Sequence, residues 1–160
     1  MIELIMAGGQ SGADRAALDV AIALGIPHGG WCPKNRIAED GRIPEIYNLK
    51  ETPSEEYPMR TELNIRDSDA TVIFLNGGVG VGSLLTMDLA RRYKKPRLVL
   101  QLQDHPDVVY EDLLAWIADH PEVKILNVAG ARESRAPGTY TRVVHILRGA
   151  LGRERAATSP

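Results

Sequence analysis

One cysteine, Cys32, stands among 160 residues, which excludes an intrachain disulfide and a zinc site built from several thiolates. No apolar run approaches the ~20 residues a membrane-spanning helix needs. Met1 leads straight into a short strand-like run without a signal peptide, so the expected compartment is the cytoplasm, with no membrane partner. Charge of one sign is also lacking: 19 Lys and Arg against 21 Asp and Glu leave a formal net charge of −2. No nucleic-acid partner is expected, and any anion site has to be local. The four histidines, His28, His105, His120 and His145, are far apart with no His-x-x-x-His spacing, so no metal site is expected. Aromatic residues are few; Trp31 could stack on a flat ligand or pack against a helix.

Glycine, by contrast, is concentrated. Two loops, GGQSGAD at 8–14 and NGGVGVGS at 76–83, each follow an apolar run and precede a helical pattern. Glycine lets a ligand approach the backbone closely, and a helix start offers unpaired N–H groups and a positive dipole end. In a parallel sheet both loops lie at the same edge, so the expected partner is a phosphorylated or similarly anionic small molecule held between them. Loop one matches neither GxxxxGK[ST] nor GxGxxG, which disfavours conventional ATPase chemistry and standard NAD binding.

Short apolar strands alternate with helical patterns. Strands are expected at 2–6, 28–33, 70–75, 97–102 and 124–128, and helices at 13–24, 54–67, 83–93, 109–119 and 139–151. Short, β-branched, apolar strands without alternation predict an α/β fold: a Rossmann-like doubly wound, mostly parallel sheet with helices on both faces. One domain over 1–151 is expected, then a disordered tail over 152–160. The segment after Pro33 shows little periodicity and reads as a long functional or lid-like loop closing over the site.

The candidate ligand-binding residues follow from this layout. Loop one offers Gly8, Gly9 and Gly12 for backbone approach, Gln10 beside them, and Ser11 as a hydroxyl donor; Asp14 and Arg15 open the helix. Asp14 either caps orphan amides or hydrogen-bonds the ligand. Loop two offers Gly77, Gly78, Gly80, Gly82 and Ser83, with Thr86 one turn into the helix. Lys34, Arg36 and Arg42 in the long loop and Arg60 and Arg66 on the next helix are further cations, each equally readable as solvated surface. Arg60, Asn64 and Asp67 share one helical face by their i, i+4, i+7 spacing. Cys32 could approach a bound metal but is more simply read as a small buried hydrophobe.

The stretches GGQSGADRAALDVA, WCPKNRIAEDGRIPEIYNLKETPSEEY, RTELNIRDSDATVIF and NVAGARESRAPGTY resemble the molybdenum carrier proteins, a branch of the SLOG group of Rossmann-like domains, over most of the chain. The resemblance implies a doubly wound parallel sheet, a homo-oligomer (dimer or tetramer), and binding of molybdenum cofactor (molybdopterin) or a nucleotide at the glycine loops. Molybdenum would then arrive already chelated by the pterin dithiolene. The same group holds lysine-decarboxylase-like phosphoribohydrolases with a PGGxGTxxE motif. Aligned on Gly82-Ser83, their acidic position falls on Thr86, which is no general base, and Asp88 points to another part of the helix. The expected function is therefore a small-molecule carrier with no catalytic residue. The alternatives are a nucleotide-processing enzyme, in which Asp14, Glu39 or Asp40 would replace the carboxylate, and a nucleotide-sensing module.

Overall fold

The computed structural model describes residues 1–158. Its centre is a sheet of β1 (Leu4–Met6), β2 (His28–Gly29), β7 (Ala70–Leu75), β8 (Arg97–Gln101) and β9 (Ile125–Gly130), ordered β2-β1-β9-β7-β8 with every neighbouring pair parallel. The chain lays down β1 and its outer neighbour, crosses to β7 and β8, and returns to slot β9 into the gap. That reversal opens a crevice at the strands' C-terminal ends, where open α/β sheets bind ligands. β7, reading ATVIFL, is buried along its whole length, as befits an inner strand covered on both faces.

Helices α1 (Ala13–Ala23), α4 (Pro106–Asp119) and α5 (Thr139–Thr158) pack together on one face, over Leu18, Leu113, Leu126 and Leu147. On the other face α2 (Tyr57–Asp67) packs against α3 (Val81–Arg92). Pro58 and Pro106 sit in the first turns of α2 and α4, where a missing N–H costs nothing. The doubly wound expectation is met. Among the described residues no helix is long and apolar enough to cross a membrane.

Two local expectations are corrected. Residues 152–158, read as the start of a disordered tail, continue α5, while 159–160 lie outside the described residues. The segment RERAAT supplies good helix formers, and Glu154 accepts the amide of Ile2 at 2.8 Å, anchoring this turn to the start of β1. The long segment after Pro33, expected as an irregular loop, carries structure of its own. It contains a 3-10 turn (Lys34–Arg36), a small hairpin of β4 (Ile37–Ala38) and β5 (Gly41–Arg42), and β6 (Lys50–Glu51) paired to β3 (Trp31–Cys32). The buried Arg36 guanidinium ties it together, donating to the carbonyls of Ile43, Pro44, Tyr47 and Leu49. Its outer side grips loop one, α1 and the segment between β9 and α5: Glu39 accepts from Ser11 and Ser134, Arg15 pairs with Asp40 at 3.2 Å, and Tyr47 donates to Asp19 at 2.7 Å.

Candidate functional site

A cleft of about 270 Å³ opens where β1 and β9 end, walled by the first turns of α2 and α3. A second hollow of about 410 Å³ lies between the β7–α3 loop and the β9–α5 loop. The two share Val81, Gly82, Ser83, Gly130 and Arg132 and so form one bipartite site.

Its deep wall is an ion pair. Arg60 Nη1 lies 2.6 Å from Asp14 Oδ2, both side chains nearly buried, and the same oxygen accepts the Gln10 amide at 3.3 Å. Gly8 makes this possible: a Cβ there would stand 1.5 Å from Arg60 Nη1. Asp14 thus does not cap α1; one of its carboxylate oxygens anchors Arg60, and the residue lines the cleft. Gln10 is buried, its Oε1 accepting the amides of Ser11 and Glu39, and its Nε2 is left without a partner. Arg60 Nε is likewise buried and unpartnered. Both donors are thus buried in the cleft wall with no hydrogen-bond partner.

The front wall is the start of α3. No side chain caps it, and the first-turn amides have no intrahelical acceptor. Extra atoms at Gly78, Gly80 and Gly82 would meet nothing within 4 Å, so a ligand can reach this backbone. Ser83 is buried against the cleft; Thr86 donates its hydroxyl to the Gly82 carbonyl at 2.8 Å. Across the mouth, the Arg132 guanidinium sits 4.7 Å from the centre of the Tyr57 ring, with Arg60 5.6 Å from the same ring. Arg135 lines the second hollow.

The two glycine loops are therefore not equivalent. At the start of α1, Ala13 donates to the Ala131 carbonyl and Arg15 to the Gln10 carbonyl, so two of its first-turn amides already have protein acceptors. Gly12, at φ +84°, brings its backbone against the β9–α5 loop, where a Cβ would lie 2.3 Å from the Ala131 carbonyl oxygen. Gly9 packs likewise against Ile43 and Leu49. Ser11 holds Glu39 and accepts the Glu133 amide, and Arg15 holds the Gly9 carbonyl and Asp40. Of loop one, only Gly8, Gln10 and Asp14 line the cleft.

Other candidates fall outside it. Lys34 is exposed away from the cleft, Arg36 is committed to the long segment's carbonyls, Arg42 pairs with Glu45, and Arg66 pairs with Asp67. Asn64 reaches the cleft wall, but its amide brackets Trp31, accepting the Trp31 N–H at 2.8 Å and donating to its carbonyl at 2.9 Å. The Trp31 indole donates to Asp67 and is covered by Lys50, beside a separate hollow. Arg60, Asn64 and Asp67 do share a face, turned toward loop one and Trp31. Gly77 packs near Gln103. Cys32 is buried outside the cleft; burial pushes its thiol up, away from the reactive thiolate. Among the described residues no three His, Cys, Asp or Glu side chains converge to hold a metal.

Sequence reasoning did not single out Tyr57, Asn127, Gly130, Arg132 or Arg135. For the last four the signal was present in NVAGARESRAPGTY, a third glycine-containing junction after a strand.

A crystal structure from Syntrophus aciditrophicus SB, described as "Putative molybdenum carrier protein", is 44% identical, with a TM-score of 0.87 over 94% of this chain and 95% of that one. No curated protein matches the chain. The model of the circularly permutated YpsA SLOG family matches residues 5–151, and the chain belongs to that family.

Proposed function

We propose that this protein is a carrier for a small molecule that joins an anionic group to a flat heterocycle: molybdenum cofactor in its pterin form, or a nucleotide. The carrying observation is the uncapped start of α3, open to Arg132 and Arg135 and continuous with a hollow walled by Tyr57. Amides of the first α3 turn, with the two arginines, would hold phosphate. Gln10 and Arg60 line the same cleft and would contact the ring or sugar. The relative described as a molybdenum carrier favours the pterin as cargo. With no side-chain cluster to grip a bare ion among the described residues, the protein would hold the organic part, and the dithiolene would hold the metal.

Holding rather than hydrolysis is the better-supported reading. The position aligned with the phosphoribohydrolase acid is Thr86, whose hydroxyl is turned back onto the Gly82 carbonyl, and Asp14, the nearest carboxylate, is bound by Arg60. Calorimetric titration with AMP, adenosine and ribose 5-phosphate tests this. AMP should bind more tightly than either fragment, lose at least tenfold in affinity in an Arg132→Ala/Arg135→Ala variant, and emerge unchanged on chromatography. Absence of binding by all three, or release of free adenine, would contradict the carrier reading for nucleotides.

A further inference from the structure

The two hollows of the site differ in charge. Arg135 lines only the second and Arg132 lines both, which puts the phosphate of the proposed ligand at that end. Asp14 lines only the first, and it is the one carboxylate among the residues lining either. A negative side chain in a site for an anion has to stand away from the phosphate. Asp14 does, because Gly82, Ser83 and Gly130, common to both hollows, mark the junction that separates it from Arg135. A ligand with its phosphate at Arg135 therefore brings its far end, the ring, to Asp14.

The ion pair with Arg60 leaves this carboxylate half used. Oδ2 accepts from Arg60 Nη1 at 2.6 Å and from the Gln10 amide at 3.3 Å, whereas Oδ1 takes no donor among the described residues. Arg60 Nη2 likewise donates to none of them. Arg60 Nε is sealed from solvent, but Nη2 and Oδ1 are not. The Asp14 side chain is only 7% exposed, so an acceptor with both lone pairs free stands beside a free donor in a wall that burial holds in place.

We infer, resting on the carrier reading, that Asp14 selects a ring whose edge carries a carbonyl, a ring N–H and an amino group in a row. This is the 2-amino-4-oxo pyrimidine edge that pterin and guanine share. Arg60 Nη2 donates to the carbonyl, and Asp14 Oδ1 accepts the ring N–H and the amino N–H together, two charge-assisted hydrogen bonds. Adenine brings an amino donor beside a ring nitrogen that only accepts, and hypoxanthine brings the ring N–H without the amino group. Each leaves one lone pair of Oδ1 empty. A sugar hydroxyl, nearer the phosphate, meets the junction of the hollows before it meets Asp14.

The test is calorimetric titration of the full chain with GMP, IMP, AMP and 2′-deoxy-GMP. GMP should bind about tenfold more tightly than IMP or AMP, the loss of one charge-assisted bond, and 2′-deoxy-GMP as tightly as GMP. Pterin-6-carboxylate, run beside GMP, tells the two sources of the edge apart; whichever binds more tightly names the source. In Asp14→Asn the amide oxygen stays on Arg60 Nη1, which can only donate, so the NH₂ takes the place of Oδ1. GMP should then weaken about tenfold and XMP, with a carbonyl in place of the amino group, should overtake it. The wild-type comparison stands without the variant. GMP binding no tighter than IMP, a loss on removing the 2′-hydroxyl instead of the amino group, or an Asp14→Asn protein that folds yet keeps the order of GMP over XMP would overturn the inference and leave the carrier reading intact. Failure of every nucleotide and of the pterin to bind would overturn both.

Discussion

Arg60 reaches Asp14 by lying across the backbone of Gly8: the ion pair closes at 2.6 Å where a Cβ on residue 8 would sit 1.5 Å from the guanidinium. The two side chains are 12% and 7% exposed, so removing the cation leaves a carboxylate with little solvent. Arg60→Ala should therefore cost about 3–5 kcal/mol of stability. Gly8→Ala should cost about 2 kcal/mol in the wild type, by expelling Arg60, yet less than about 1 kcal/mol in the Arg60→Ala background, where nothing remains to expel. Urea unfolding of the four proteins in the cycle measures the coupling, and additive costs would show that Gly8 serves something other than Arg60.

Gly12 and Gly82 should respond to alanine in opposite ways. At Gly12 a positive φ and a rigid carbonyl 2.3 Å from the new Cβ predict a loss of roughly 3 kcal/mol or more. At Gly82, inside the first turn of α3 with open space around it, alanine should stabilise the fold by about 0.5–1 kcal/mol and weaken AMP binding by narrowing the cleft. Thermal unfolding and titration of the two variants separate the packing glycine from the ligand-facing one.

This contrast marks the limit of what the sequence discloses. Alternating apolar strands and helices made the doubly wound sheet readable, because burial on both faces leaves a local signature in ATVIFL and its like. The mouth of the cleft was readable from glycine spacing. What Gly9 and Gly12 pack against was not, since Ile43 and Ala131 are distant in sequence. Nor was the commitment of Asn64 to Trp31, 33 residues away. Arg132 looked like any of 19 basic residues until the fold set it over Tyr57. The α5 extension was missed because Gly152 reads as a terminator, although one glycine costs only about 1 kcal/mol and Glu154 anchors the next turn.

Tyr57 should supply the ring contact. Tyr57→Ala is expected to weaken AMP by about 1–3 kcal/mol, the range for base–aromatic stacking, and to leave ribose 5-phosphate unaffected. Equal losses for both compounds would place Tyr57 on the phosphate side or in the scaffold.

Glu39 latches the long segment onto loop one and the β9–α5 loop. Burial would raise its carboxyl, but hydrogen bonds from Ser11 and Ser134 outweigh that and hold it below the ordinary 4.5. A carboxyl lowered in the folded state stabilises it above the unfolded value, and the contribution is lost as pH falls through the folded one. The wild type should exceed Glu39→Ala in stability at neutral pH by ~1 kcal/mol, a modest figure because the latch is exposed to solvent. The gap should close below about pH 4.5. A gap that persisted into strong acid would assign the effect to packing.

The central claim is that the crevice at the start of α3 holds a heterocycle bearing an anionic group. Native mass spectrometry of the purified protein, and of the Arg132→Ala/Arg135→Ala variant, tests it most directly. The account predicts an added mass of a molybdopterin or nucleotide on the wild type, retained from the cell or taken up on incubation, and lost from the variant. A wild type that takes up neither, or a ligand equally retained by the variant, would contradict it.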